Sequence, residues 1–428
     1  MKELNEANLL EDFAYKNEYI KKILNKFLDL LKKSMGNTSY LNWLQIINLS
    51  NQVSNQRINT LHLIFNNIDK DSVYKAVFVI HTTISLIVKL LTYSLLSNLN
   101  NRTIKKITNI SSLKKFLNDI ESGIIYNEFG IANMCQYDVF SWYLEAEFDD
   151  ELYNLLTILK DKTTQYNINN SIDRDVIKPL YESLVPKEVR YSLGEHYTPQ
   201  NVADFILSKS KEFLKDKASY KAIDPTCGSG TFLLSLIKDK IKSNRIERVL
   251  DEVVGVDINP IAVITAKFNY IFAIYPLMLK NKIKPNDITI PIYLEDAIFM
   301  PDYIGKFDLV IGNPPWVRWS VLPADYKLKI KNSLRNESIF SRDTNYGGVD
   351  LNLSALIAYK MIKNSLNKDG VLSFIFPYGV LKNKSYEGFR NFKFGDKTME
   401  IKMVLEPYKP FFDGEEPVVL ILQNCGYT

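Results

Sequence analysis

The chain has 428 residues, of which 46% are hydrophobic and 24% charged, a composition typical of an ordinary globular protein with two domains. Its 53 basic and 49 acidic side chains give a formal net charge of +4, too small to indicate a nucleic-acid partner by itself. The three cysteines, Cys135, Cys227 and Cys425, form no CxxC pair and have no histidine cluster nearby. The sequence therefore predicts no metal site and favours a reducing cytoplasm.

The N-terminal part of the chain is predicted to be helical. Proline, the strongest helix breaker, first occurs at Pro179, although the chain contains 16 prolines. Apolar residues recur at helical spacing in this region, as at Ile23, Leu24, Phe27, Leu28 and Leu31. We therefore expect an all-α domain over residues 1–185.

The longest apolar stretch, residues 77–96, has the length of a membrane span. It carries polar side chains, among them His81 and Lys89, so we expect a helix buried in protein and no membrane association. His62 and His81 have apolar neighbours, which favours packing in the core over a role in catalysis. No secretion signal opens the sequence, which again favours the cytoplasm.

The remainder of the chain predicts an α/β domain over residues 186–428. Short apolar runs separated by Gly, Pro and Asp alternate there with longer amphipathic segments. We expect a doubly wound, mostly parallel sheet of seven strands, with ligands at the carboxyl ends of the strands. The predicted strands cover residues 220–223, 253–256, 290–294, 307–311, 371–376, 401–405 and 418–422.

A turn rich in glycine follows the first predicted strand. The strand runs through Asp224 into this turn, and a helix is predicted to start near Thr231. Gly228 and Gly230 have no Cβ, so the backbone can turn sharply and approach a ligand while the helix N-terminus offers amide donors. The turn lacks the GK[ST] ending of a Walker loop and the spacing of GxGxxG. It predicts a site for a small polar molecule.

Carboxylates follow the next two predicted strands. Asp257, with Ile258 after it, ends the second strand, where a carboxylate commonly accepts hydrogen bonds from both hydroxyls of a ribose. Asp296, with Ala297 after it, follows the third strand and is predicted to accept from an adenine amino group. Either carboxylate alone is also typical of a helix cap. In register with the glycine turn, the pair predicts a ligand that contains ribose and adenine.

Residues 307–316 read FDLVIGNPPW and predict a strand with a rigid tip. The apolar run stops at Gly312, and the consecutive prolines Pro314 and Pro315 force an extended turn that ends at Trp316. Neither proline nitrogen can donate a hydrogen bond, so the turn presents acceptors in a stiff frame.

In this order, the motifs DPTCGSGTFL, GVDINP, LEDA and NPPW resemble those of the S-adenosylmethionine-dependent amino-methyltransferases of DNA. The preceding segment, YSLGEHYTPQNVADFIL, is similar to one in adenine-N6 modification subunits of type I and type IIG restriction systems and their phage-defence relatives. The resemblance covers residues 187–381. It implies S-adenosyl-L-methionine as cofactor and the N6 amine of adenine in double-stranded DNA as acceptor, and the choice of adenine over cytosine rests on it alone.

Carried over motif by motif, the resemblance implies which residues contact the cofactor. The GEHYTP segment closes over the methionine end of the cofactor in the family. His196 and Cys227 lie inside these motifs, but the reaction needs neither a nucleophile nor a metal, so we interpret both as packing residues. The implied contacts are Glu195, Tyr197, Thr198, Asp224, Cys227, Gly228, Ser229, Gly230, Asp257, Ile258, Asp296, Ala297 and Asn313.

The tip supplies the chemistry of the predicted reaction. An exocyclic amine of a base is a poor nucleophile because its lone pair is delocalised into the ring. The side-chain oxygen of Asn313 and the carbonyl of Pro314 can each accept one N–H, which favours a pyramidal nitrogen whose lone pair points at the methyl group. The target must be flipped out of the duplex, and stacking on Trp316, worth about 1–3 kcal/mol, helps to offset that cost.

The segment after the tip is predicted to contact DNA, although a solvated helix is the alternative. Basic groups among aromatic rings suit a phosphate backbone and unstacked bases. The candidates are Arg318, Trp319, Lys327, Lys329, Lys331 and Arg335, with Tyr326 and Phe340 between them. Phe411 and Phe412 are candidates for the opposite wall of the base pocket.

Family members usually carry a target-recognition domain after the catalytic sheet or borrow one from a specificity subunit. The chain ends soon after its last predicted strand, so we expect a separate specificity subunit or domain. Two alternatives stay open. NPP[YW] also serves methylation of protein glutamine and of RNA, and a non-catalytic, cofactor-binding subunit of a defence complex would share the motifs. No nuclease-like PD-(D/E)xK cluster occurs in the N-terminal part.

Overall fold

The computed structural model describes residues 1–34, 36–47, 61–66, 68–69, 72–135, 139–168, 170–187, 190, 198–217, 219–242, 248–282, 288–335, 337, 339, 351–408 and 416–427. Its α-helices are, in chain order, α1 Glu6–Phe13, α2 Glu18–Lys33, α3 Thr38–Ile47, α4 Val73–Leu99, α5 Ile110–Glu121, α6 Asp150–Thr163, α7 Lys178–Leu184, α8 Gln200–Ser210, α9 Thr231–Lys242, α10 Val249–Glu252, α11 Pro260–Lys280, α12 Ala324–Ser333, α13 Leu353–Ser365 and α14 Glu387–Arg390. Its strands are β1 Lys2–Glu3, β2 Tyr166–Asn167, β3 Ala222–Asp224, β4 Val253–Asp257, β5 Ile292–Leu294, β6 Phe307–Gly312, β7 Leu366–Pro377, β8 Lys393–Phe394, β9 Lys397–Leu405 and β10 Pro417–Tyr427.

The chain divides into two compact units. The first contains Met1–Ile47, Val53–Arg190 and Asn259–Ile290, and the second contains Tyr191–Ile258 and Pro291–Thr428. The sequence places the domain boundary near residue 185, and the structure differs in one respect. Helix α11, which joins β4 to β5 along the chain, packs against α4 and is grouped with the helical unit. Its apolar residues alone do not reveal which core they enter, because a crossover helix and a core helix share the same pattern.

The first unit is helical around α4, apart from the two-residue strands β1 and β2 that pair in parallel. Lys89, at 0% exposure within α4, forms an ion pair with Glu121, to which the hydroxyl of Tyr143 donates at 2.7 Å. A buried charge is tolerated only when it is paired and hydrogen-bonded, as it is here. The predicted burial of residues 77–96 is confirmed.

The two histidines of this unit differ. His81 is buried as predicted, with the indole N–H of Trp43 donating to its Nδ1 at 3.2 Å and its Nε2 at 3.1 Å from the hydroxyl of Tyr181. Burial lowers the pKa of His81 to about 3, so the ring is neutral. The prediction for His62 is wrong, because that side chain is exposed.

Two helices of the described ranges, α4 and α11, have the length and composition of a membrane span. The apolar window of α4 is 100% buried within the structure and that of α11 is 83% buried. Core helices of folded domains pass the same test of length and composition, so the match is weak evidence of a membrane role.

The second unit is built on one eight-stranded sheet with the order β5-β4-β3-β6-β7-β10-β9-β8. The first five strands of that order, β5, β4, β3, β6 and β7, are parallel to one another. Strand β10 runs antiparallel to both β7 and β9. All the predicted strands are present with shifted ends, and the predicted count of seven misses the two-residue β8 at the edge. The chain winds outward from β3 to β5 and then restarts on the other side of β3 at β6. This doubly wound topology places a crevice at the carboxyl ends of β3 and β6.

Candidate functional site

The order of the parallel strands brings the predicted polar residues to one edge of the sheet. Asp224 ends β3 beside Gly255 of β4, and Asp257 ends β4 beside Leu294 of β5. On the other side of β3, Ile223 pairs with Val310, two residues before the end of β6. The carboxyl ends of β3, β4, β5 and β6 therefore carry the glycine turn, Asp257, Asp296 and Asn313 along a single edge.

Backbone hydrogen bonds hold the glycine turn against β4. The amide of Cys227 donates to the carbonyl of Val256 at 2.8 Å, and the amide of Gly230 donates back to Cys227 at 2.8 Å. Gly228 and Gly230 have φ values of +53° and +99°, a region that glycine adopts without steric cost. Helix α9 begins at Thr231 as predicted, so its N-terminus opens directly from the turn.

Asp257 connects the ends of β3 and β4. Its Oδ2 accepts a hydrogen bond from the amide of Gly228 at 2.8 Å. A carboxylate that accepts from a backbone amide is held in a fixed orientation, and each of its oxygens has two lone pairs. The side chain is thus fixed beside the glycine turn, where it is able to accept further hydrogen bonds from a ligand.

Asp224 ends β3, between the glycine turn that follows it and the end of β6. It is 1% exposed, and burial raises the pKa of its carboxyl group well above the usual range. Its Oδ1 accepts from the amide of Thr226 at 3.1 Å. A Cβ at Gly312 would lie 2.5 Å from the same Oδ1, so only glycine fits at the end of β6. Sequence reasoning missed this role of Gly312, although its place directly before Asn313 was visible.

The Cys227 side chain is a packing residue in this structure. It is buried, and burial together with the carboxylates of Asp257 and Asp224 raises the pKa of its thiol. A Cβ at Gly255 would lie 3.2 Å from its Sγ. The thiol is therefore neutral and close-packed, which is unsuited to a nucleophile.

Gln200 holds the N-terminus of α8 against the first turns of α9. Its Nε2 donates to the carbonyl of Thr231 at 3.2 Å and to the hydroxyl of Ser235 at 2.8 Å. Thr198, which is buried, lies two residues before Gln200, so the end of the GEHYTP segment directly precedes a helix that is bonded to the first turns of α9. The sequence analysis did not single out Gln200. Glu195 and Tyr197 lie outside the described residues.

The rigid tip follows β6 as predicted. Asn313 and Pro315 are half-buried, Pro314 is buried, and Trp316 is 8% exposed. The indole N–H of Trp316 donates to the carbonyl of Ile375 in β7 at 3.3 Å. The ring is thereby anchored to the neighbouring strand, which fixes its plane beside the tip.

The chain leaves the sheet after the tip and returns to the same place. The amide of Trp319 donates to the carbonyl of Leu351 at 2.7 Å, and the amide of Leu353 donates to Val317 at 2.8 Å. Arg318 and Asn352 form the antiparallel bridge between them. Residues 317–319 and 351–353 are therefore paired through their backbones next to the tip. We call the chain between these two segments the excursion, of which the structure describes residues 320–335, 337 and 339.

Asp296 receives two hydrogen bonds. It caps the short 3-10 helix Ala297–Phe299, with the amide of Ile298 donating to Oδ1 at 2.9 Å. The hydroxyl of Tyr326, in the excursion, donates to Oδ2 at 2.8 Å. Burial raises the pKa of Asp296, while both hydrogen bonds and the charge of Lys329 act in the opposite direction. The sequence identified the cap as an alternative for this residue, and it did not foresee the tyrosine.

The predicted DNA contacts fall into different environments. Arg318, Lys329, Lys331 and Arg335 are exposed, and Lys327 is half-buried with its Nζ donating to the carbonyl of Ser320 at 2.7 Å. The prediction for Trp319 does not agree with the structure, because this ring belongs to the hydrophobic core of the sheet unit. Phe340, Phe411 and Phe412 lie outside the described residues.

Among the residues that the structure describes, no group of three or more histidine, cysteine or acidic side chains is arranged to hold a metal ion.

Comparison with known proteins identifies one family. The profile of the family described as N-6 DNA Methylase matches residues 172–422, more than half of the chain. The modification methylase CviBIII of Paramecium bursaria Chlorella virus NC1A is 26% identical over 49% of this chain and 44% of its own length. The type II methyltransferase M.BanIII of Aneurinibacillus aneurinilyticus is 28% identical over 46% of this chain and 33% of its own length. The chain thus spans less than half the length of these curated relatives.

A solved structure supports the fold. The chain is similar to the DrdV–DNA complex determined by cryo-electron microscopy, with a TM-score of 0.54 and 14% sequence identity. The similarity covers 96% of this chain and 41% of the other. At this level of identity it supports the arrangement of helices and sheet and leaves the chemistry to be argued from the site.

Proposed function

Because the chain belongs to the N-6 DNA methylase family, we propose that it transfers a methyl group from S-adenosyl-L-methionine to the N6 amine of an adenine in DNA. One observation carries the proposal. The carboxyl ends of adjacent strands bring the glycine turn, two carboxylates and the NPPW tip to a single edge of the sheet. A nucleoside-containing donor and an amine acceptor would meet there.

The hydrogen-bonding groups at this edge of the sheet suit S-adenosyl-L-methionine. The glycine turn at Gly228 and Gly230 leaves room that a Cβ would occupy, and the N-terminus of α9 supplies amide donors. Asp257, fixed by the amide of Gly228, would accept from the ribose hydroxyls, and Asp296 would accept from the adenine amine. When bound, the cofactor supplies a methyl group on a positively charged sulfur.

The remaining cofactor contacts belong to the buried end of the site. Asp224, Cys227 and Ser229 would line the pocket under the methionine part, and Ile258 and Ala297 would pack against the adenine. Thr198 would contact the methionine end together with Glu195 and Tyr197. Apolar packing against the base would provide affinity, and the polar contacts to the ribose would fix the orientation of the cofactor.

On the acceptor side, Asn313 and Pro314 would orient the target amine. Their two oxygens would each accept one N–H, so the lone pair of the nitrogen points away from the tip and toward the donor. The amine becomes acidic only as the methyl group is transferred, so no side chain with a finely tuned pKa is needed. Positioning accounts for most of the rate.

The target adenine would have to leave the duplex. Trp316, anchored to β7 through its indole nitrogen, would offer its ring for stacking at a fixed angle. Arg318, exposed beside the tip, and Lys329 and Lys331, exposed on the excursion, would contact phosphates of double-stranded DNA.

The biological setting is proposed as restriction-modification or phage defence in the cytoplasm. This proposal is supported by the curated relatives, which are named as a modification methylase and a type II methyltransferase. A separate specificity subunit or domain would select the target sequence, because the described site contains chemistry for any adenine and little that would read a sequence.

The direct test incubates the native protein, with its partners, with tritiated S-adenosyl-L-methionine and unmethylated DNA. The expected result is label in N6-methyladenine after digestion of the DNA to nucleosides. Label in RNA or in protein glutamine with none in DNA would overturn the proposed acceptor. Sequencing DNA modified by the native system would then give the target sequence.

A further inference from the structure

Helix α12 lies against the loop that carries Asp296. The hydroxyl of Tyr326 donates to Oδ2 of Asp296 at 2.8 Å, and its ring lies 6.0 Å from that of Phe299 between centroids. Ile330 and Leu334 follow Tyr326 at four-residue spacing and are almost completely buried. One face of the helix is therefore packed into the core, and this packing holds the tyrosine ring in place without its hydroxyl.

Both oxygens of Asp296 are oriented by donors from different parts of the chain. Oδ1 accepts from the amide of Ile298 at 2.9 Å, which is local, and Oδ2 accepts from Tyr326, thirty positions later. The local contact alone would leave the carboxylate able to rotate about its bond to the chain. The second donor fixes its plane, and Oδ2 retains a second lone pair for another donor.

We infer that Tyr326 is a positioning residue, which orients Asp296 to accept from the 6-amino group of the cofactor and so selects an adenine nucleoside over a 6-keto nucleoside. The inference rests on the proposed function and extends it to a residue outside the family motifs. It also gives a physical link between the cofactor site and the helix that carries Lys329 and Lys331. A carboxylate held in one orientation rejects a keto oxygen because two acceptors would face each other.

The test compares two ligands by isothermal titration calorimetry with the full chain. S-adenosyl-L-homocysteine carries the 6-amino group, and S-inosyl-L-homocysteine carries a 6-keto group with a proton on the adjacent N1 and is otherwise the same. The variant Tyr326→Phe removes the hydroxyl and keeps the ring against Phe299. We expect its affinity for the adenosyl ligand to fall about tenfold, the effect of weakening one hydrogen bond to a charged group. Its affinity for the inosyl ligand should stay within about twofold of that of the unaltered chain.

A matched control removes a hydroxyl from the same kind of pair. Tyr220 donates to Oδ2 of Asp239 at 2.7 Å, and it lies before the amino end of β3, away from the edge that carries the site. Tyr220→Phe should leave both affinities unchanged. Thermal unfolding of the two variants shows whether each hydroxyl contributes comparably to stability.

The outcomes separate the possibilities. Equal losses for both ligands in Tyr326→Phe would assign the hydroxyl a structural role only and overturn the inference. Unchanged binding of both ligands would also overturn the inference. Tighter binding of the adenosyl ligand would overturn it as well, because it would show that the hydroxyl competes with adenine for the carboxylate of Asp296. If the unaltered chain binds neither ligand, the proposed function and the inference fail together. If selectivity falls as expected but no DNA is methylated by the native protein, only the proposed acceptor fails.

Discussion

The two sides of the site are held together by different kinds of contact. On the side of β3 and β4, the amides of the glycine turn donate to β4, from Cys227 to the carbonyl of Val256 and from Gly228 to the carboxylate of Asp257. On the side of β5 and β6, side chains are the donors, with the hydroxyl of Tyr326 donating to the carboxylate of Asp296 and the indole of Trp316 donating to the carbonyl of Ile375. The first side is thus held by the backbone of the turn, and the second by side chains that follow β6.

This difference predicts which substitutions separate cofactor binding from catalysis. A turn fixed by its own backbone should bind the cofactor whatever happens to the tip. Changes at the tip, whose Trp316 is anchored to the neighbouring strand β7, should impair catalysis without loss of the cofactor. Substitutions at the turn and at the tip should therefore give opposite patterns of affinity and activity.

The largest effect is expected for Asn313→Ala. Removing the acceptor of one N–H should reduce methylation by on the order of 10²–10³-fold, the usual effect of deleting one polar group that stabilises a transition state. The affinity for S-adenosyl-L-homocysteine should change less than about threefold, since the glycine turn and Asp257 are untouched. Single-turnover methylation and calorimetry measure the two quantities.

Asn313→Asp is the matched variant for this prediction, because it retains one acceptor oxygen in the same shape and should recover part of the activity. Unimpaired methylation, or unimpaired protection in cells, by Asn313→Ala would favour the non-catalytic subunit instead.

The opposite pattern is expected for Asp257→Ala. Losing a carboxylate that accepts from both ribose hydroxyls should weaken S-adenosyl-L-homocysteine about 100-fold. The substitution also removes the acceptor of the Gly228 amide, which loosens the turn. Methylation should recover at high cofactor concentration, because the tip is intact. A normal affinity in this variant would contradict the assignment of the ribose to the end of β4.

Gly312→Ala tests the close contact between the end of β6 and the carboxyl group of Asp224 at the end of β3. The new Cβ would lie 2.5 Å from Oδ1 of Asp224, so the buried carboxyl group or the end of β6 must shift. We expect a loss of about 1–3 kcal/mol in the free energy of unfolding, measured by urea denaturation. Cofactor affinity and methylation should fall together, unlike the two preceding variants.

Gly379→Ala is the control for Gly312→Ala, since its Cβ would meet the movable end of the Asn383 side chain at 2.8 Å. Equal and small effects of the two substitutions would show that the contact between Asp224 and β6 is unimportant.

The same division explains what the sequence predicts and what it does not. The turn from Asp224 to Thr231 was placed correctly because its geometry follows from consecutive residues. The partner of Asp296 was not foreseen, since nothing local links position 296 to Tyr326. Trp319 was assigned to DNA because an aromatic among lysines looks the same whether it faces solvent or core. Helix α11 was placed in the sheet domain for a similar reason, as its pattern is apolar on most sides.

The smallest effect is expected for the exposed lysines of the excursion, which bear on DNA alone. Lys329 lies 4.0 Å from the ring centroid of Phe299 and Lys331 lies 5.9 Å from that of Trp319, so both head groups are held at the surface of the helix that follows the tip. The double variant Lys329→Gln and Lys331→Gln should weaken DNA binding several-fold. It should also lower the slope of log affinity against log salt by roughly two, about 0.9 for each lost phosphate contact. The control, Lys215→Gln with Lys217→Gln, removes two exposed charges before the amino end of β3 and should leave that slope unchanged. Equal slopes in the two double variants would place the DNA elsewhere and leave Lys329 and Lys331 without a role in DNA binding.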